Sequence, residues 1–112
     1  MRIGIVGGLE RNESQFQRMA LVAGHAVEFH SGHVGSRENS ALQSLIERSD
    51  LVIVVTDVNS HGSVQQARKL LQKRSVRSLL LRRFGIARFA TLLAALQSGG
   101  WGSVDAFQAA GA

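Results

Sequence analysis

Two histidines, an aspartate, an arginine pair and a glycine pair are the residues whose types and places suit chemistry in this chain. They are His30, His61, Asp57, Arg82 with Arg83, and Gly7 with Gly8. Neutral imidazole ligates metals and haem iron, and a guanidinium holds a carboxylate or phosphate through two parallel hydrogen bonds. Paired glycines let backbone approach a ligand closely at a helix N-terminus. His61 follows Ser60, which suits a helix cap, so His61 falls in a helix's first turn. The helix dipole there disfavours positive charge and keeps the imidazole neutral. His30 has the same chemistry at a strand end. His33 sits in a Gly-rich loop, and His25 precedes a strand, at the opposite edge and on the surface.

The spacings also exclude. From Gly7, a dinucleotide fingerprint needs glycine where Leu9 and Asn12 stand, and no P-loop is present, so neither NAD nor ATP has a signature. The histidines form no i, i+4 zinc pair. With no cysteine, thiolate metal sites, iron–sulfur ligation and a Cys nucleophile are all ruled out. Asp57, Ser60 and His61 have the residue types of a hydrolytic triad, but three residues within one turn do not make nucleophile–base–orienter geometry. Asp57 resembles the phosphoacceptor of a response-regulator receiver. That fold needs an acidic pair where Gly7-Gly8 stands and a lysine on a fifth strand. Enzyme or non-enzyme stays open on these residues.

The elements that position this group follow from patterning. Arg2 to Val6 reads as a strand ending at Gly7-Gly8. Asn12 to Val22 reads as a helix with Phe16, Met19, Ala20 and Ala23 inward and Gly24 as its stop. Ala26 to His30 is a second strand. Ser36 to about Arg48 is a helix with Leu42, Leu45 and Ile46 on one face. Leu51 to Val55 is an unbroken apolar run, the mark of a strand buried on both sides. A third helix places Val64, Ala67, Leu70 and Leu71 inward, Val76 to Leu81 is a fourth strand, and Ile86, Phe89, Ala90, Leu93 and Leu96 mark a fourth helix. Strict β–α alternation predicts an α/β fold. Its parallel sheet of about four strands, in the order 2-1-3-4, has helices on both faces, as in Rossmann and flavodoxin-like folds. Ligands in such sheets bind outside the carboxyl ends of the strands. His30, Asp57, His61, Arg82 and Gly7-Gly8 all fall there.

The 112 residues suit one domain: residues 1–97 as the Rossmann-like unit, and 98–112 as a Gly-rich tail with a last turn near Ala106 to Ala109. At 45% hydrophobic and 19% charged, the composition supports a core and excludes disorder. No apolar run approaches the ~18 residues of a membrane span, and the N-terminus lacks signal-peptide form. The expected location is the cytoplasm.

The chain carries a net charge of +5, unevenly placed. Arg68, Lys69, Lys73, Arg74, Arg77, Arg82, Arg83 and Arg88 are clustered, with no acidic residue between Asp57 and Asp105. Such a block either solvates a helix face or meets an anionic partner: phosphate, carboxylate, nucleic acid or an acidic protein. At 5% aromatic and without tyrosine, base-stacking platforms are scarce, which ranks nucleic acid below a small anion. On the fourth helix, Leu92, Ala94 and Ala95 read as lying off the inward face. Either the tail or a second subunit is expected to cover them, a homodimer through Ile86 to Leu96 being the commonest outcome.

Four segments resemble a small bacterial family of unknown function, number 2325, over about Arg2 to Leu96. They are Ile5-Val6-Gly7-Gly8; Phe29-His30 followed by Ser31-Gly32; Val55-Thr56-Asp57-Val58-Asn59-Ser60-His61; and Leu81-Arg82. Family members usually carry a second His and an Asp where Phe29 and Ser31 stand, and a Cys where Asn59 stands. They also enter strand four by Gly-Lys-Pro where Lys73-Arg74-Ser75 stands. The resemblance implies a stand-alone Rossmann-like module and haem-dependent oxygen binding. Haem b needs a neutral His, apolar walls and basic partners for two propionates. His61 or His30 as the metal ligand, Trp101 and Phe107 as walls, and Arg82 with Arg83 meet that list, with Gly7, Gly8 and Ser60 at the same edge. A domain this small has little room inside, so a haem site shared across a subunit interface is expected. The rival reading is a regulatory or enzymatic module that binds a phosphorylated or carboxylated anion at the same edge. A basic, nucleic-acid-associated accessory protein is the third.

Overall fold

Five consecutive apolar residues, Leu51 to Val55, form a strand with no exposed side, and the rest of the fold is arranged to cover both its faces. The computed structural model describes residues 1–7, 13–30, 36–56, 61–82 and 84–111, with backbone alone at 36–39, 61–64 and 108–111. The elements run β1 Arg2–Val6, α1 Glu13–Val22, β2 Ala26–His30, α2 Ser36–Arg48, β3 Leu51–Val55, α3 His61–Arg74, β4 Arg77–Leu81 and α4 Ile86–Gly111. All pairings are parallel and the strand order is β2-β1-β3-β4, the predicted Rossmann and flavodoxin-like arrangement.

Period-two alternation divides the core. Ile3, Ile5, Val27, Leu51, Ile53, Val55, Leu79 and Leu81 face α1 and α4, where Phe16, Ala20, Phe89, Leu92 and Leu93 meet them. Val6, Val52 and Val54 face α2 and α3, against Leu42, Leu45, Ile46, Ala67, Leu70 and Leu71. The apolar positions expected on α2 and α3 are thus the buried ones, except that the Val64 side chain lies outside the description. On α1, Phe16 and Ala20 are buried, Met19 is half-buried and Ala23 is exposed.

Gly24 ends α1 with φ at 85°. The His25 N–H donates to the Ala20 carbonyl at 2.7 Å and the Gly24 N–H to that of Leu21 at 3.0 Å. This pair of bonds is the Schellman stop, which satisfies the last carbonyls of a helix and favours glycine. The expected stop signal is therefore the one used.

α4 departs from expectation twice. Leu92 is fully buried inside the chain, while Ala94 is exposed and Ala95 half-buried. The helix is rotated so that Leu92 joins Phe89 and Leu93 inward, and Ala90 is turned outward. The helix also continues through the segment read as a Gly-rich tail. It breaks only at Gly100, whose φ of 60° and ψ of −140° are non-helical, and a second arm follows to Gly111. Val104 and Phe107 of that arm are buried in the α1/α4 core. Arg77, the first residue of β4, lies over the Trp101 ring at 5.0 Å, and Arg88 lies over Phe107 at 5.2 Å. The second arm therefore doubles back, from the amino edge of the sheet towards the start of α4. An Arg77–Asp105 ion pair at 3.2 Å fastens it to β4.

At the amino edge, His25 is half-buried, with Nδ1 3.1 Å from the N-terminal amine. Partial burial, and then the amine's positive charge, hold its pKa below the ordinary 6.5. The folded state thus prefers neutral imidazole. His25's contribution to stability is complete above the unfolded value and is lost as pH falls through the lower folded value. Urea midpoints measured at about pH 7.5 and about pH 5.5 should show a smaller acid loss in His25→Asn than in the parent. Equal losses would assign the acid sensitivity elsewhere.

Candidate functional site

Because all four strands are parallel, their carboxyl ends lie along one edge, and the register sets them level. Val6 pairs with His30 and with Val54, and Val55 pairs with Leu81. Two backbone bonds carry the ladders one residue further. The Gly7 N–H donates to the His30 carbonyl and the Thr56 N–H to the Leu81 carbonyl, each at 2.8 Å. Gly7 is buried at φ 84°, a left-handed turn that costs glycine nothing and a branched residue much. With parallel strands each followed by a helix, every helix starts at this same edge, so the N-termini of α1, α2, α3 and α4 gather around it. The chain turns in opposite directions from β1 and β3, and the crevice between them is where ligands bind in such sheets.

Of the expected site residues, Gly7, His30 and Arg82 stand together along this edge, and His61 opens α3 beside it. Arg82 is exposed and His30 half-buried. The side chain of His61 lies outside the description, as do Gly8, Asp57, Ser60, Arg83 and His33. Trp101 is not part of the group. It packs under Arg77 at the other end of β4, because the second arm of α4 begins at the amino edge. Phe107 is sunk in the core beneath Arg88 and offers no open wall.

Two residues at the edge escaped the sequence reading. Half-buried Thr56 prolongs β3, its hydroxyl directed at the Leu81 carbonyl at 3.4 Å. Half-buried Phe84 follows β4 and lies on the Phe16 ring, centroids 5.9 Å apart and planes at 29°. Phe84, two residues after Arg82, packs half-buried against the α1/α4 core, edge-on to Phe89 at 5.8 Å. The signal for it was weak, a lone aromatic between Arg83 and Gly85 in a segment that reads as loop.

The edge is electrostatically lopsided. On the β2 side, a groove of about 310 Å³ is lined by Glu13, Glu28, His30 and Arg48, and the Arg48 guanidinium is bound to Glu28 at 3.0 Å. With Glu28 neutralised by Arg48, it is Glu13 that adds negative charge, at the N-terminus of α1. On the β3/β4 side, neither α3 nor α4 has an acidic residue in its first turn, and among the described residues Arg82 adds a full positive charge; Asp57, ahead of α3, lies outside the described residues. The arrangement can hold an anionic group over β1, β3 and β4 and lay an apolar body against Phe84.

A family model described as "Uncharacterized protein conserved in bacteria (DUF2325)" matches residues 2–96. The chain belongs to DUF2325. The match covers every element from β1 through the first arm of α4, up to Leu96, so the second arm, with Trp101 and Phe107, lies beyond the family's shared segment. A UPF0751 protein of Desulfitobacterium hafniense strain DSM 10664 / DCB-2 is 30% identical over 95 residues, covering 84% of this chain and 93% of its own. A second UPF0751 protein, from strain Y51 of that species, is 27% identical over 95 residues, covering 83% and 91%. No solved structure matches the chain. Among the described residues of this DUF2325 protein, no three His, Asp or Glu side chains gather as a metal cluster, and no helix is long and apolar enough to cross a membrane.

Proposed function

We propose that this DUF2325 protein is a ligand-binding module that takes an anionic small molecule with a flat apolar body over the carboxyl ends of β1, β3 and β4, haem b being the first ligand to test. The charges described along the edge carry the reading: Glu13 in the first turn of α1 beside β2, and Arg82 beside β3 and β4, where neither α3 nor α4 has an acidic residue in its first turn. The donor set fits haem in kind. His61, which opens α3, and His30, which ends β2, are the residues that would ligate the iron. Arg82, with Arg83, would hold the propionates, and Phe84 replaces Trp101 as the apolar wall. When bound, haem would supply a site for oxygen; the protein's part is to ligate, orient and exclude water.

Haem titration followed by absorbance tests this. A Soret band is expected with the parent protein and is lost in His61→Ala, since a methyl group cannot ligate iron. Arg82→Ala should keep the band but weaken binding about 10- to 150-fold, the loss of a charge-assisted bond of about 1.5–3 kcal/mol. A parent protein that gives no Soret band excludes haem. The anion reading then stands only if phosphorylated or carboxylated compounds bind the parent and Arg82→Ala abolishes that binding.

A further inference from the structure

Away from this edge, α3 carries a surface that the ligand site does not use. The helix buries Ala67, Leu70 and Leu71 and exposes Gln65, Arg68, Lys69, Gln72 and Lys73, two stripes on opposite sides at a spacing of 3.6 residues. The exposed stripe holds three cations and two amides, with no acidic residue anywhere on α3 or β4. The basic block of the sequence is thereby sorted. Arg74 is bound to Glu47 of α2, Arg77 to Asp105 and Trp101, and Arg88 rests on Phe107. Among the described residues no partner is paired with Arg68, Lys69 or Lys73. The one acidic group in α2's last turn, Glu47, is already taken up by Arg74. Beside the stripe, a groove of about 330 Å³ runs between α3 and β4, with Arg68, Gln72, Ser75 and Ser78 at its polar rim.

We infer that this face of α3 binds the phosphate backbone of double-stranded nucleic acid. A peripheral membrane helix needs apolar residues to insert between lipids, and the exposed stripe has none. Base stacking needs aromatic platforms, and none stands on the stripe or lines the groove, so a single strand is poorly served. Three fixed cations with amides between them suit a regular row of phosphates, which positions a protein without reading sequence. Lysine and arginine both serve here because the contact is chiefly one of charge.

Counterion release makes the inference quantitative. Three phosphate contacts give a slope of log affinity against log salt of about −2.7, so binding should fall about 40-fold between about 50 and 200 mM salt. Fluorescence anisotropy of a labelled random duplex, titrated with the full-length protein at several salt concentrations, reads this directly. Each of Arg68→Gln, Lys69→Gln and Lys73→Gln should shallow the slope by about 0.9. The triple variant should lose salt-dependent binding while keeping the parent's circular dichroism and urea midpoint. Absence of duplex binding at low salt overturns the inference. So does an unchanged slope in the triple variant, or binding to anionic vesicles with none to the duplex.

Discussion

Phe16→Ala should cost the protein about 3–5 kcal/mol, the usual toll of deleting a buried ring. Phe16 is 4% exposed and touches three other rings: Phe29 at 5.6 Å edge-on, Phe84 at 5.9 Å stacked, and Phe89 at 4.9 Å tilted. Four of the chain's five phenylalanines thus form one cluster. It ties α1 to β2, to the segment after β4 and to α4. Aromatic pairs add about 0.5–1.5 kcal/mol each beyond burial, so the upper end of the range is expected. A domain of this kind is stable by about 5–15 kcal/mol in all, so the loss is a large share. Urea denaturation should show a sharp fall in midpoint, and Phe16→Leu, which keeps most of the volume, a smaller one. A loss below about 1 kcal/mol in the alanine variant would show that the cluster repacks. The same variant bears on function. Phe84 rests on Phe16, so if the proposed haem site is right, removing Phe16 should weaken haem binding even where the fold survives.

The fold was legible because its strongest signal is local. An unbroken Leu51 to Val55 run admits only a two-sided burial, and that demands helices on both faces of a parallel sheet. Strand ends then place Gly7, His30 and Arg82 on one edge without further information. The second arm of α4 was not legible, because local propensity and tertiary packing disagree. Gly99 and Gly102 each disfavour helix, by about 1 kcal/mol in an interior position, and Gly100 sits at the break itself. Burying Val104 and Phe107 outweighs that, and only the assembled core shows it. The place of Trp101, under Arg77 at the amino edge, is hidden for the same reason, since it depends on the reversal at Gly100. Phe84 was missed because its partner Phe16 is remote in sequence. The lopsided charge of the edge was equally hidden. Glu13 and Glu28 look unrelated until α1 and β2 come together around His30.

Gly4→Ala should destabilise the protein, although a glycine in a strand ordinarily gains from the change. Fewer unfolded conformations are worth about 0.4–1 kcal/mol to alanine. Against this, Gly4 lies in β1 on the side facing α2. A Cβ there would sit 2.4 Å from Leu45 Cδ2 and 2.7 Å from Ser49 Oγ. Neither group has an easy escape. Leu45 is 2% exposed in the α2/α3 core, and the Ser49 hydroxyl donates to the Leu45 carbonyl at 2.6 Å. Relief therefore means moving α2 off the sheet or forcing Leu45 from its rotamer, an overpacking cost of about 1–3 kcal/mol, and the clash wins. Gly4→Val, with two more carbons, should cost more still. A double-mutant cycle isolates the cause. Leu45→Ala alone should cost about 2–5 kcal/mol for the cavity, yet in that background Gly4→Ala should cost markedly less than in the parent. Equal costs in the two backgrounds would show that β1 and α2 are not in close apposition at Gly4.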